Sequence, residues 1–232
     1  MQRILLATTF LLAGTALATA QTAPAPYATT TGYSAGDIVV RVAFAGIIPL
    51  TPSSHIDAIG GNVGVSSGVM PEVDLSYFIT DNISVQAIAT STRHEISAND
   101  TKLTPVLGSK IDLASTYVLP PAIVAAYHFL PKAAFDPYVG LGLDVLWPYD
   151  TQENKALIDG ARLVQKVGLS NAVGPVFNAG IDYNISGPWF VNLDYKQVIN
   201  TVDARIHTAV GLVKANVALD PAVISVGIAY RF

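Results

Sequence analysis

The chain offers few side chains capable of covalent chemistry. It has no cysteine and four histidines among 232 residues, which excludes thiolate nucleophiles, disulfides and Cys-ligated metals. A serine-type hydrolase or acyl transferase needs a serine, a histidine and a carboxylate within hydrogen-bond reach. Ser91, His94 and Glu95 come closest in sequence, but on a strand Ser91 and His94, three apart, point to opposite faces. His128 has no serine beside it in the sequence, and His55 and His207 fall in or beside loop-like stretches. None of the four has metal-ligand spacing. The sequence asks for no cofactor and no metal, and reads as a non-enzyme.

The other polar residues of note are charges set singly into apolar strands: Arg41, Glu72, Asp74, Asp144, Asp194 and Lys196. Their setting depends on what the strands are. The chain is 51% hydrophobic and only 13% charged, against roughly 25% charged in an ordinary globular chain. Yet beyond residue 20 no apolar run approaches the ~18–20 residues of a spanning helix. High hydrophobicity without a helical span points to alternating strands. The last dozen residues show this best: Ile224, Val226, Ile228, Tyr230 and Phe232 share one face, and Ser225, Gly227, Ala229 and Arg231 the other. An apolar outer strand face suits a barrel in lipid, where closure also removes the edge. The net charge of −4 and the absence of a basic cluster exclude nucleic acid as a partner.

Arg3, the apolar run Ile4–Leu12 and Ala18-Thr19-Ala20 make residues 1–20 a secretory signal peptide. Residues 21–36, rich in Ala, Thr and Pro, read as a flexible leader. Over 37–232 the alternation predicts eight strands: Asp37–Pro49, Met70–Thr80, Ile83–Ile96, Val118–Leu130, Pro137–Tyr149, Leu169–Ile185, Pro188–Ala204 and Val213–Phe232. Short turns at 81–82, 131–136 and 186–187 alternate with long connections at 50–68, 97–117, 150–168 and 205–211, the third with a helical turn or two around Lys155–Val164. A bulge is expected beyond Ala89, where the faces of the third strand lose their clean alternation. Short periplasmic turns and long outer loops are the asymmetry of an outer-membrane barrel. Tyr77, Phe129, Tyr183, Trp189 and Tyr230 fall near one set of strand ends, and Trp147 and Tyr149 near the other, as interfacial girdles would. The fold class is therefore all-β, an eight-stranded antiparallel transmembrane barrel in the outer membrane of a Gram-negative bacterium. A soluble lipocalin-like barrel has the same strand number with its apolar face inside, and alternation alone does not tell the two apart.

Several stretches resemble the OmpW family of outer membrane proteins, to which the alkane-uptake protein AlkL belongs. They are Gly36-Asp37-Ile38-Val39-Val40-Arg41-Val42, Leu75–Ile83, Leu119-Pro120-Pro121, Pro137–Gly142, and Leu219-Asp220-Pro221 through to Tyr230-Arg231-Phe232. They lie in the family's order over residues 37–232, with Ala222 where the family pattern has a tryptophan. The resemblance implies an eight-stranded barrel with a narrow, largely apolar passage for small hydrophobic molecules. It also implies that Ile228, Tyr230 and Phe232 form the signal read by the barrel-assembly machinery.

Eight strands enclose an interior that side chains can fill, so a wide aqueous channel is excluded. Charges facing such an interior must be paired. The expected pairs are Arg41 with Asp74 or Glu72, and Lys196 with Asp194 or Asp144, forming a polar plug near mid-height. A hydrophobic solute would then leave sideways into the outer-membrane lipids above the plug, having been carried past the lipopolysaccharide layer. Pro49, Pro120, Pro121 and Pro148 lie near outer strand ends and cannot donate to a ladder, which makes them candidates for a lateral opening; each also serves simply to end a strand. The competing function is a structural or adhesive barrel, or a phage or bacteriocin receptor, with a closed lumen. An apolar outer lumen favours transport and a charged one favours the rival. Small or apolar inward residues there (Ala43, Ala45, Ile47, Val118, Ala122) favour transport.

Overall fold

The computed structural model describes residues 31–50, 56, 60–102, 109–154, 157–158, 161–162, 164–208 and 211–232. The expected signal peptide and residues 21–30 of the leader lie outside the described residues. The alternation produces strands throughout: β1 (Ile38–Ile48), β2 (Asn62–Val65), β3 (Gly68–Phe78), β4 (Ile83–Thr90), β5 (Thr92–Asn99), β6 (Lys110–Leu119), β7 (Ala122–His128), β8 (Phe135–Glu153), β9 (Leu157–Ile158), β10 (Ala161–Arg162), β11 (Val164–Leu169), β12 (Ala172–Ser186), β13 (Trp189–Val198), β14 (Thr201–Thr208), β15 (Gly211–Ala218) and β16 (Ala222–Arg231).

Eight of these close a barrel in the order β1-β3-β4-β7-β8-β12-β13-β16, all neighbours antiparallel, with β16 pairing back onto β1. Closure leaves no barrel strand with an unpaired edge. In these strands the apolar face points out and the polar face in. Phe44 is 71% exposed and Ile123 65%, whereas Arg41 is 3% exposed and Asp74 2%. That orientation excludes a lipocalin-like barrel, whose apolar face would be inside. Trp189 and Tyr230 meet edge to face at 4.9 Å, as do Tyr230 and Phe232 at 4.7 Å, so the aromatics of the closing strands form one continuous rim.

Above this belt the wall continues, and the pattern inverts. One sheet is β2-β5-β6-β8 and another is β11-β14-β15. Here Arg93, Glu95, Asp112, Asp203, Arg205 and Lys214 face outward, and Ile96, Ile111, Leu113, Val167, Ile206 and Val213 are buried inside. The upper barrel is built like a water-soluble barrel and the lower one like its reverse.

This corrects the reading of 97–117 and 205–211 as loops. Both are largely strand hairpins, and the stretch expected to carry a helical turn holds the strand pair β9–β10 among its described residues instead. The alternation of charge with small apolar residues there is strand alternation with the opposite phase. In the third segment a register shift between Ile96 and Ser97 hides it. Several predicted long strands are also broken in two. The fourth breaks at Pro120-Pro121 and the last at Leu219-Asp220-Pro221, where Pro supplies no N–H and Asp220 adopts φ +33°.

Leu141, on the outer face of β8, is 58% exposed and lies midway between Phe135 and Trp147. Replacing it with Arg is expected to lower barrel stability in lipid vesicles by about 2–4 kcal/mol, read from the shift of a denaturant unfolding midpoint. A soluble barrel would tolerate the change.

Candidate functional site

The inner face of the lower barrel is a connected polar network. The Arg41 guanidinium lies 2.6 Å from Asp74 and 3.2 Å from both oxygens of Asp182. Ser76 donates to Asp74 at 2.8 Å, and Asn192 to Asp182 at 2.8 Å. The Lys196 ammonium lies 2.6 Å from Asp194 and 2.9 Å from Glu72. The Tyr138 hydroxyl donates to Asp194 at 2.6 Å and accepts from Asn192 at 3.0 Å, joining the two halves. Tyr138 reaches Asp194 because residue 180, across the ladder, is glycine: a Cβ there would collide with the phenol ring. The network ties β1, β3, β8, β12, β13 and β16 together.

Of the six residues expected in the plug, five are in it. Asp144 is not; it stands higher, hydrogen-bonded at 2.5 Å to Asn200, and has no ion pair with Lys196. Barrel shear carries the two past each other. Asp182, Tyr138, Asn178 and Asn192 were not anticipated, although Asp182 and Asn178 share the inward face of the sixth predicted strand, which was the available signal.

The remaining strands are joined by a second buried cluster. Ser84 Oγ lies 3.1 Å from His128 Nε2, and His128 Nδ1 lies 2.7 Å from Asp136. A serine therefore does stand beside His128, brought there by the β4–β7 pairing. The order matches a catalytic triad, but Ser84 is 0% exposed and lines none of the cavities described here. Asp136 also accepts the Leu130 N–H at 3.0 Å, so the cluster pins a periplasmic turn. Ser91 instead bonds Tyr149 at 2.6 Å on the outside while His94 bonds the Ser66 carbonyl inside, so those two never meet.

Beneath the plug lies an aromatic seal. The leader was expected to be loose, but its described end turns into the barrel mouth. Tyr33 is 0% exposed and stacks between Phe78 at 4.4 Å and Phe190 at 4.5 Å. Arg231 donates to the Gly32 carbonyl. Outside, Asp81 accepts from Ala35 N–H at 2.8 Å and pairs with Lys132 at 3.0 Å, and Lys132 also donates to Ser34.

Above the plug the lumen is mostly aliphatic, with Thr92, His94, Asp144 and Asn200 among its lining. A partly enclosed cavity is lined by Ile47, Ile88, Leu146, Val176, Val198 and Val223 among others. Glu72 and Lys196 form part of its lining, at the upper edge of the plug. A second, smaller space between Val63, Ile96, Val202, Ala204 and Val217 shares His94, Val118, Leu146 and Leu219 with it, so apolar lining continues upward.

The wall beside the larger cavity is interrupted. The β4–β7 ladder ends at Ile88↔Ala122, and the β5–β6 ladder begins at Thr92↔Val118. In the same register, Ala89, Thr90 and Ser91 face Leu119, Pro120 and Pro121 without ladder pairs. Thr90 turns its hydroxyl away, to the Pro71 carbonyl at 2.8 Å. Both Thr90 and Pro120 line the cavity. Of the other candidate prolines, Pro49 follows β1 and lines the same cavity, while Pro148 pairs with Val118 within β8 and lines the upper space. Above Leu146, β8 also parts from β12, and β11 pairs with β14 instead.

Comparison with known proteins agrees with this architecture. The model of the OmpW family matches residues 34–232. The chain belongs to the OmpW family. Outer membrane protein W of Vibrio cholerae is 28% identical over 199 residues, covering 85% of this chain and 89% of that one. The dibenzothiophene metabolism operon protein PahQ of Pseudomonas aeruginosa is 22% identical over 177 residues, covering 75% and 76%. The crystal structure of OprG from Pseudomonas aeruginosa superposes with a TM-score of 0.76 at 23% identity, covering 87% of this chain and 98% of OprG, which supports the fold. Family, closed barrel and outward apolar belt place this OmpW-family chain in the outer membrane of a Gram-negative bacterium.

Two outcomes follow. Arg41→Met strands Asp74 and Asp182 without their cation, and should cost about 3–5 kcal/mol in vesicle unfolding; adding Asp74→Asn and Asp182→Asn should restore much of it. At the mouth, the Ala35 N–H and Lys132 hold Asp81 below its ordinary pKa of 3.8. Its grip on the leader is then fully present above that value and is lost as pH falls through the lowered one. Hydrogen exchange at Ala35 and its neighbours should speed up at neutral pH in Asp81→Asn, and the variant should lose the acid dependence of the wild type.

Proposed function

We propose that this barrel aids the passage of small hydrophobic molecules across the lipopolysaccharide layer and releases them sideways into the outer-membrane lipids. The observation that carries the reading is the apolar cavity, with ion-paired residues at its lower end and an unpaired stretch of wall at its side. A solute descending through the apolar upper lumen meets Glu72 and Lys196. Going on would strip a buried ion pair of its partners, at several kcal/mol, and would then require Tyr33 to leave its stack. Turning aside past Thr90 and Pro120 costs neither, and transfer from water to lipid favours the solute by about 0.8 kcal/mol per CH₂. Pro120 removes a donor that would otherwise help close the ladder at that point, while Pro121 turns to β8 and accepts from Val145 N–H at 3.0 Å. The kinship with PahQ, a protein of a dibenzothiophene metabolism operon, supports apolar solutes as cargo. The further partners on this reading are lipopolysaccharide and the barrel-assembly machinery, which would engage the face carrying Ile228, Tyr230 and Phe232.

The test is uptake by a Gram-negative strain lacking its own homologue and supplied with this chain. Uptake of a medium-chain alkane should rise several-fold, and that of a glycoside of similar size should not. Pro120→Val with Pro121→Val, which restores one donor to each strand position, should return alkane uptake toward the empty-strain level while the barrel still assembles. A folded barrel that changes uptake of neither solute would leave a structural or receptor barrel with a closed lumen. Alkane uptake unaffected by the double substitution would overturn the lateral route alone.

A further inference from the structure

The apolar cavity has one polar corner that the plug does not use. Asp144 is 2% exposed and lines the cavity. One of its oxygens accepts from Asn200 Nδ2 at 2.5 Å; among the described residues the other has no hydrogen-bond or ion-pair partner. The Asn200 side-chain amide oxygen is buried without a partner, and so is the Thr92 hydroxyl on the same cavity. Neither cation of the plug serves them. Arg41 is held by Asp74 and Asp182, and Lys196 by Asp194 and Glu72.

The corner is built rather than incidental. Asp144 pairs across the ladder with Gly174, where a Cβ would overlap the Ile199 carbonyl and the Asn200 amide. Glycine therefore admits the amide to the carboxyl. The Asn200 backbone is fixed on both sides: its N–H donates to Asp220 at 3.2 Å and its carbonyl accepts from Leu219 N–H at 2.9 Å. Asp220 provides that grip from the left-handed region, a conformation that non-glycine residues hold only where their surroundings impose it.

We infer that the cavity selects apolar molecules carrying one hydrogen-bond-donating end, with Asp144 and Asn200 as the specificity-determining acceptors. This rests on the conduit reading above and narrows its cargo. Two unmet acceptors border a space walled mostly by aliphatic side chains, so the group that completes them is a donor, an O–H or an N–H. Bare hydrocarbons, and ethers, which only accept, leave the acceptors unmet. The aliphatic body of the ligand occupies the space between Ile88, Val176 and Val198.

The test uses the full barrel in lipid nanodiscs, with isotope-labelled side-chain amides and valine methyls read by NMR. 1-Hexanol, hexane and methyl pentyl ether are titrated in turn, against the Asn200 amide and the Val176 and Val198 methyls. Hexanol should shift the Asn200 amide saturably and bind about tenfold more tightly than the ether, with hexane reaching the methyls only. Asp144→Leu should erase the tenfold preference and keep methyl shifts for all three. Asp144→Asn, which retains an acceptor, should keep most of the preference, a recovery that a merely bracing role for Asp144 would not produce. Heat-modifiable gel mobility checks that each variant is folded. Methyl shifts from all three solutes without preference, or a preference that survives Asp144→Leu, would overturn this inference and leave the conduit standing. No methyl shift from any solute would overturn both.

Discussion

Every strand of this barrel must satisfy two solvents. In the lower part the outside is hydrocarbon, so apolar side chains face out, and polar ones turn to an interior shared with no lipid. In the upper part the outside is polar. The same strands, or their continuations, then put Arg93, Glu95, Arg205 and Lys214 outward and Ile96, Ile206 and Val213 inward. The inversion is what creates an apolar compartment inside a membrane protein whose lumen is otherwise polar. The cavity lies where the two regimes meet, with Ile88 and Val176 among its walls and Glu72 and Lys196 at its lower end. It is a consequence of the change of phase along the strands as much as of any one residue.

The polar network below is a scaffold, and on the proposed lateral route the same bonds make it a barrier. Two guanidinium or ammonium groups stand among four carboxylates, and removing either one leaves buried acids without their counter-charge. A network so connected resists opening, and it spans six of the eight barrel strands. The Ser84–His128–Asp136 cluster joins β4 and β7 to β8 in the same manner. That cluster also shows why geometry alone does not make a catalyst: triad distances are present, but the serine is sealed beneath Phe78 and Tyr33 packed around the imidazole.

Much of this was legible in the sequence, and what was missed has physical causes. Period-two alternation is local, so the eight spanning segments, and which residues share a face, could be read directly. Arg41 with Asp74 could be paired because β1 and β3 are neighbours and the two residues stand opposite each other. Lys196 pairs with Asp194, one of its two expected partners; Asp144 is the other, because strand counting ignores shear, a property of closure and not of any segment. The upper strands read as loops in the sequence because their charge density is high. Their inward partners, Ala98, Leu113, Ala204 and Val213, are small or medium-sized, so the alternation lacks the aromatic emphasis it has within the belt. Tyr33 lay outside the alternating region altogether. Nothing in a Thr-, Ala- and Pro-rich leader indicates that one of its tyrosines enters the barrel.

The break at Pro120-Pro121 can be understood from the same inversion. A strand that changes from polar-in to apolar-in while keeping its pleat must shift its pattern somewhere, and the shift is easiest where the ladder is already interrupted. The breaks at Ser91, Pro120-Pro121 and Leu219-Asp220-Pro221 all border the cavity, through Thr90, Thr92, Pro120, Leu219 and Pro221. An opening in the wall beside an apolar space therefore needs no separate device. It comes with joining a lipid-facing barrel to a water-facing one. On the proposed lateral route, a solute exchanges aliphatic contacts in the cavity for aliphatic contacts in the bilayer, so neither compartment holds it strongly. On that route the protein's contribution is the polar layer it spares the solute from crossing.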